Sequence, residues 1–306
     1  MAVFNVANML QFNDAIKNCA DGDTIEILAD LDWNDVNTDV TQTIILGNSS
    51  SVSFATDGIT INGNNHNIYN LSGNLIRGGT YGTHIYDFHG AKANINNVSF
   101  LNCDFGFKDS DIIYSSGNST NIQINDCVLQ GRFKYAPFKR GGSSSGTIQL
   151  NRCMFTCNFS DVSPFKVATG GAPSLWSYCW IRLVDDGYNA FNAGSGSTYA
   201  ENLFGCYIEG KLNYVASSAT NLRIFRYLAN CCVNLEFDVQ QTTDPDVFIT
   251  MNTSATEKNV INIDKISTDA GYSITEASST NRNKCVTDEH MKDASYLASV
   301  GFDIIA

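Results

Sequence analysis

Five cysteines, Cys127, Cys153, Cys179, Cys206 and Cys232, follow one another at steps of 26, 26, 27 and 26 residues. A disulfide framework has no reason to keep such a step, whereas a stack of repeated coils does. The flanking residues repeat as well. Ile122-Gln123-Ile124-Asn125-Asp126-Cys127-Val128-Leu129 is followed by Ile148-Gln149-Leu150-Asn151-Arg152-Cys153-Met154-Phe155. Leu175-Trp176-Ser177-Tyr178-Cys179-Trp180-Ile181 and Asn202-Leu203-Phe204-Gly205-Cys206-Tyr207-Ile208 continue the series. Upstream, Ile95-Asn96-Asn97-Val98-Ser99-Phe100 fits the same frame with Val98 in the cysteine's place.

Each unit reads as a short alternating strand, a two-residue polar corner and a second short strand. Internal periods of this size mark solenoids. Strands of three to five residues with no intervening helix predict an all-β parallel β-solenoid of about 26 residues per coil. One coil cannot bury its apolar face alone and must stack on its neighbours at about 4.8 Å. The 241 residues from Ile25 to Ile266 then make about nine coils and a core about 45 Å long. An open solenoid end exposes unpaired strand edges and needs a cover. Val6, Met9, Phe12, Ile16 and Cys19 recur at helical spacing, with Asn5 available as N-cap and Gly22 as the stop. At the other end Thr287 precedes Asp288 and Glu289, and Met291, Ala294 and Leu297 share a face. Gly301 suits the left-handed stop and Phe302 the contact that follows it. The expected organisation is therefore a capping helix in 1–22, the β-solenoid in 23–285 and a second capping helix in 286–306.

Composition supports a packed core and narrows the partners. Hydrophobic residues make up 43% of the chain and charged residues only 16%, against about 25% charged in ordinary domains. Nineteen basic against 31 acidic side chains leave a formal charge of −12. An acidic chain without a basic cluster is a poor ligand for nucleic acid. No stretch approaches a membrane span, and the opening residues carry no secretory signal pattern. The repeated cysteines read as a structural column of small buried thiols, Cys127, Cys153, Cys179, Cys206 and Cys232. Tetrahedral zinc would need close pairs with histidine partners, so neither metal nor other cofactor is expected. Ten unpaired thiols imply assembly in a reducing compartment.

The opening Asn13-Asp14-Ala15-Ile16 through Gly22-Asp23-Thr24-Ile25, with the coils that follow, resembles the right-handed parallel β-helix (pectin-lyase-like) superfamily over residues 5–270. The resemblance implies a right-handed parallel β-helix, a fold that hosts lyases, hydrolases, adhesins and bacteriophage spikes. The Asn-rich coils and terminal helices are most similar to tail- or head-spike proteins. That likeness implies a virion protein assembled as a homo-oligomer, with a trimer as the guess, beside other virion components.

Polygalacturonase-type enzymes of this superfamily carry an ordered set of short motifs. Here Asn37-Thr38-Asp39, Phe88-His89-Gly90, Asp185-Asp186 and Arg223-Ile224-Phe225 occur out of that order. The best local acid–base candidates are Asp185 and Asp186, with Arg182 before them and Glu209 one coil on. Arg182 and Glu209 each follow a column cysteine by three residues, which predicts an Arg–Glu pair on adjacent coils. His66, His84 and His89 read as turn or surface residues. Gly141–Gly146 is a loop tip preceded by Lys134, Lys139 and Arg140, without the order of a phosphate loop.

If the column cysteines point inward, the next residue of each coil points outward. Val128, Met154, Trp180, Tyr207 and Val233 would then form an apolar column. Loops of the chain itself, sister subunits or a glycan stacking on Trp180 and Tyr207 are the candidate covers. The reading is a non-enzymatic phage attachment protein. A glycan-cleaving tailspike and a bacterial adhesin are the alternatives.

Overall fold

The computed structural model describes residues 1–36, 43–48, 57–72, 84–88, 91–105, 111–115, 121–133, 137–140, 147–159, 175–184, 202–216, 221–241, 247–253, 258–262, 264, 266–268, 272–274 and 282–299. These residues form three parallel sheets. The first has eleven strands in sequence order, from Val3–Val6 through Thr24–Ile27, Ile59–Asn62, Lys92–Asn96, Asn121–Asn125 and Thr147–Asn151 to Tyr272–Ile274. Its ten steps of about 4.8 Å give a length of about 48 Å. The second sheet runs alongside from Leu31–Asp32 to Arg282–Val286. A third, of four strands, contains Ile44–Ile45, His84–Asp87, Asp111–Ser115 and Phe138–Arg140. All pairs are parallel between successive coils, as the sequence period requires.

The interior is a set of in-register apolar columns. In the first sheet Ile25, Ile61, Ile95, Ile124, Leu150, Trp176 and Leu203 lie rung over rung, all buried. In the second, Ile68, Phe100, Leu129, Phe155, Ile181, Ile208 and Val233 do the same. Alternation puts every second residue of a strand into such a column. Each fully buried side chain of this size contributes about 1.5–3 kcal/mol.

Between the first and second sheets six successive coils turn sharply at one left-handed residue each. These residues are Asn97, Asp126, Arg152, Tyr178, Gly205 and Asn230, with φ between 52° and 62°. A left-handed L-residue costs about 1–2 kcal/mol, so the inter-coil bonding at the corner must offset it. Asn97, Asp126, Arg152, Tyr178 and Gly205 each donate their backbone N–H to a carbonyl of the next coil at 2.8–3.0 Å. Asparagine lowers the cost, and Gly205 removes it. A β-carbon on Gly205 would also sit 2.7 Å from the Tyr178 ring.

The helix α1 (Met9–Asn18) follows the first strand instead of preceding the rod. Val3–Val6 already pairs with Thr24–Ile27, so the solenoid begins ahead of its cover. Asn8, not Asn5, is the N-cap, its side chain accepting from the Gln11 N–H at 2.9 Å. Asn5 lies in the strand. Met9, Phe12 and Ile16 enter the main core, and the Tyr86 hydroxyl donates to Asn13 Oδ1 at 3.0 Å.

At the C-terminal end two short helices stand where one was expected, α2 (Asp288–Met291) and α3 (Ala294–Ser299). Thr287 caps α2 in a capping box with His290. The His290 ring stacks on Tyr296 at 3.9 Å, tying the two helices together. Of the expected face, Leu297 is buried and Met291 half-buried, while Ala294 is exposed. Leu297 packs on Cys232 with Tyr207, Met291 and Tyr296 around it. The pair therefore lies against the outward side of the second sheet. Gly301 and Phe302 fall outside the described residues. Among the described residues no helix is long and apolar enough to cross a membrane.

Candidate functional site

The corner places two columns side by side, one of thiols facing in and one of apolar side chains facing out. Backbone N–H groups of Met154, Trp180, Tyr207 and Cys232 donate to the carbonyls of Cys127, Cys153, Cys179 and Cys206 at 2.9–3.0 Å. The first four thiols thus stack as the spacing predicts, and all are buried. The fifth member differs. Tyr207 pairs with Cys232 and Ile208 with Val233, so the inner residue of that coil is Cys231. This coil is one residue shorter than the next cysteine suggests, and a one-residue slip exchanges inside for outside. Cys232 consequently belongs to the outward column, and Val233 is a core residue.

The thiols have a structural task at the corner. Cys153 Sγ lies 3.3 Å from the Ile124 carbonyl and 3.4 Å from that of Asn151. Cys179, Cys206 and Cys231 repeat the arrangement at 3.3–3.5 Å with Leu150 and Ser177, Trp176 and Phe204, and Leu203 and Ala229. A small side chain with a weak donor sits where two carbonyls converge. The nine cysteines whose side chains are described, all but Cys285, are free. Burial pushes the Cys179 and Cys206 thiols up. Cys153 is lowered, because Cys127 and Cys179 on either side can both hydrogen-bond to its thiolate.

The outward column now reads Val128, Met154, Trp180, Tyr207 and Cys232. Its members differ in cover. Met154 is 43% and Trp180 47% exposed, Val128 and Tyr207 are half-buried, and Cys232 is fully covered by the C-terminal helices. Tyr178 at the left-handed corner is 50% exposed, and Leu175 and Val184 are exposed nearby in the chain. The rings are held in place. Trp180 meets Tyr207 edge-on at 6.0 Å, and Tyr178 meets Phe204 edge-on at 5.4 Å.

Arg182 and Glu209 are register partners, as expected. Arg182 Nε is 3.9 Å from Glu209 Oε1, which also accepts from Trp180 Nε1 at 3.1 Å. The carboxylate thus fixes the indole. Asn234 stands on the next rung and donates to the Tyr207 hydroxyl at 3.2 Å. Asp185, Asp186, His89 and Gly141–Gly146 lie outside the described residues, as do the side chains of Lys139 and Arg140. Among the described residues no group of three or more His, Cys, Asp or Glu side chains is arranged to hold a metal.

His84 is not a surface residue. Its Nδ1 lies 2.9 and 3.0 Å from the two oxygens of Asp111, a buried carboxylate on the neighbouring rung. The His84 ring stacks on Tyr114 at 3.6 Å. Burial, with Asp87 and Asp111 nearby, raises the Tyr114 hydroxyl. The signal was in the spacing, since 27 residues separate His84 from Asp111, one coil. His66, by contrast, is a turn residue as expected, following Asn64 and Asn65 with its Nδ1 3.4 Å from Asp30.

Compared with known proteins, the chain matches no family model, no curated protein and no solved structure.

Proposed function

We propose that the chain is a non-enzymatic structural and attachment protein of a bacteriophage virion, a spike or fibre whose solenoid presents a glycan-recognition face. The observation that carries this reading is the exposed aromatic column at Trp180. Trp180 and Tyr178 offer rings to solvent from a stiff parallel sheet, and Tyr207 holds Trp180 edge-on. Arg182, Glu209 and Asn234 supply donors and acceptors beside them. Flat apolar rings with a polar fringe suit the apolar faces and hydroxyls of sugars. Glu209 is engaged by Trp180 and Arg182, which fits a positioning carboxylate better than a free general acid.

The free, buried thiols agree with assembly in a reducing host cytoplasm. Sister subunits fit this column less well than a ligand does. Among the described residues of this column, only the rungs from Val128 to Tyr207 remain open, about 14 Å of rod, while a stable interface buries about 800 Å² per partner. In the spike reading a homotrimer forms through other faces, with native mass as its measurement.

The test is binding of the folded chain to a panel of neutral and acidic bacterial surface polysaccharides, followed by indole fluorescence. At least one should shift the fluorescence without being cleaved, and Trp180→Ala should abolish binding while keeping the circular dichroism spectrum. Absence of binding across the panel, or binding unchanged in Trp180→Ala, would sink the proposal. The glycan-cleaving reading has one observation in its favour, the His84–Asp111 pair with its stacked Tyr114. Product formation that disappears in His84→Ala would establish it instead.

A further inference from the structure

We infer that the interior thiol column Cys127–Cys153–Cys179–Cys206–Cys231 is a binding line for a two-coordinate thiophilic cation, with divalent mercury as the ion it fits best. Soft thiolates select soft metals. A metal–thiolate bond is about 2.3 Å, so two in line span about 4.6 Å. Successive thiols of the column are one rung apart, which is about 4.8 Å. The side chains stand roughly perpendicular to the sheet. An ion between two stacked sulfurs therefore meets each Cβ–Sγ bond near a right angle, as divalent sulfur prefers.

Disulfide formation fits the same geometry badly. It needs Cβ atoms about 3.8 Å apart, closer than an in-register stack allows. The column is thus suited to bridging by a metal and resistant to oxidation within itself.

Charge selects the ion. The column lies in the apolar core, where a net charge is costly. When Hg²⁺ enters, two S–H bonds break, two S–Hg bonds form and two protons leave to solvent. The product is neutral. Five thiols taken in adjacent pairs hold at most two ions.

The molecule contains its own control. Cys103 and Cys157 also share a column, but Gly131 occupies the rung between them. That leaves them about 9.6 Å apart, too far for a linear bridge.

The experiment is titration of the folded full-length chain with Hg²⁺ alone, then washing with excess monothiol. Retained metal is counted by native mass, bridging is read from the ultraviolet sulfur-to-mercury charge-transfer band, and folding from circular dichroism. Wild type should retain two ions. Cys153→Ser/Cys206→Ser leaves three column thiols with no adjacent pair and should retain none, whereas Cys103→Ser/Cys157→Ser should retain both. If serine prevents folding, Cys153→Ala/Cys206→Ala gives the same readout. Equal retention by the column variant, loss of metal in the Cys103/Cys157 variant, or no retention by folded wild type would overturn the proposal.

Discussion

The outward surface of the early coils and that of the later coils share one backbone plan and carry opposite chemistry. Along the first sheet, Glu26, Asn62, Asn96, Asn125 and Asn151 form a continuous ladder. Each asparagine amide donates to the oxygen one rung before it, at 2.7–3.1 Å. The next occupants of the same column are Ser177, Phe204 and Ala229. Aromatic rings then take over, with Tyr178 at the corner and Trp180 and Tyr207 beyond it. From Asp126 to Asn230 the coils on both sides of the change keep a left-handed corner residue with a thiol after it, while Val98 takes the thiol's place at Asn97. The interior must repeat because each rung packs on the last. The exterior need not, and there the chain changes from self-bonding amides to exposed rings.

The comparison is broken most severely if the two interiors are not equivalent. Ile124→Ala in the early coils and Ile208→Ala in the later ones should each cost about 2–5 kcal/mol, as buried large-to-small changes do. Both residues are 0% exposed in the same core. Urea denaturation measures this, and a cost below 1 kcal/mol at one site alone would show that the later coils are not packed like the early ones.

Acid should weaken the beginning of the rod before its later coils. Asp23 is held below the usual carboxylate range, first by the Ala2 N–H and also by that of Ala20. Asp30 is lowered by the Asn67 backbone and side-chain N–H groups. A carboxyl whose folded pKa lies below its unfolded value stabilises above the unfolded pKa, and that stability is lost as pH falls through the folded one. Stability should therefore be flat above about pH 5 and decline below about pH 4. Asp23→Asn should remove part of that decline and cost about 1.5–3 kcal/mol at neutral pH, the worth of hydrogen bonds to a charged group. Thermal melts across pH decide it, and an unchanged acid limb in the variant would count against Asp23 as the cause.

The smallest effect concerns the surfaces themselves. Asn125 bonds to both neighbours in its ladder, so Asn125→Ala should cost about 1 kcal/mol. Trp180→Ala removes an exposed ring and should change stability by less than that, within about 0.5 kcal/mol for an ordinary surface site. A larger loss at Trp180 than at Asn125 would mean the aromatic column supports the fold as well as any ligand.

The parallel solenoid, the thiol stack and the Arg182–Glu209 pair were legible in the sequence because they recur at the coil period. A period and an alternation determine which residues stack and which face they share. Three features depended on tertiary structure. The exchange of Cys231 for Cys232 was hidden because both residues are cysteine, and only the inter-coil hydrogen bonds show which one faces inward. The His84–Asp111 pair keeps the coil spacing, but it sits on a third sheet whose strands carry no cysteine frame to mark the register. The cover over Cys232 comes from Leu297, 65 residues later in the chain. Local pattern determines a rung and its neighbours; what folds back across several rungs is decided by packing between distant segments, which no repeat encodes.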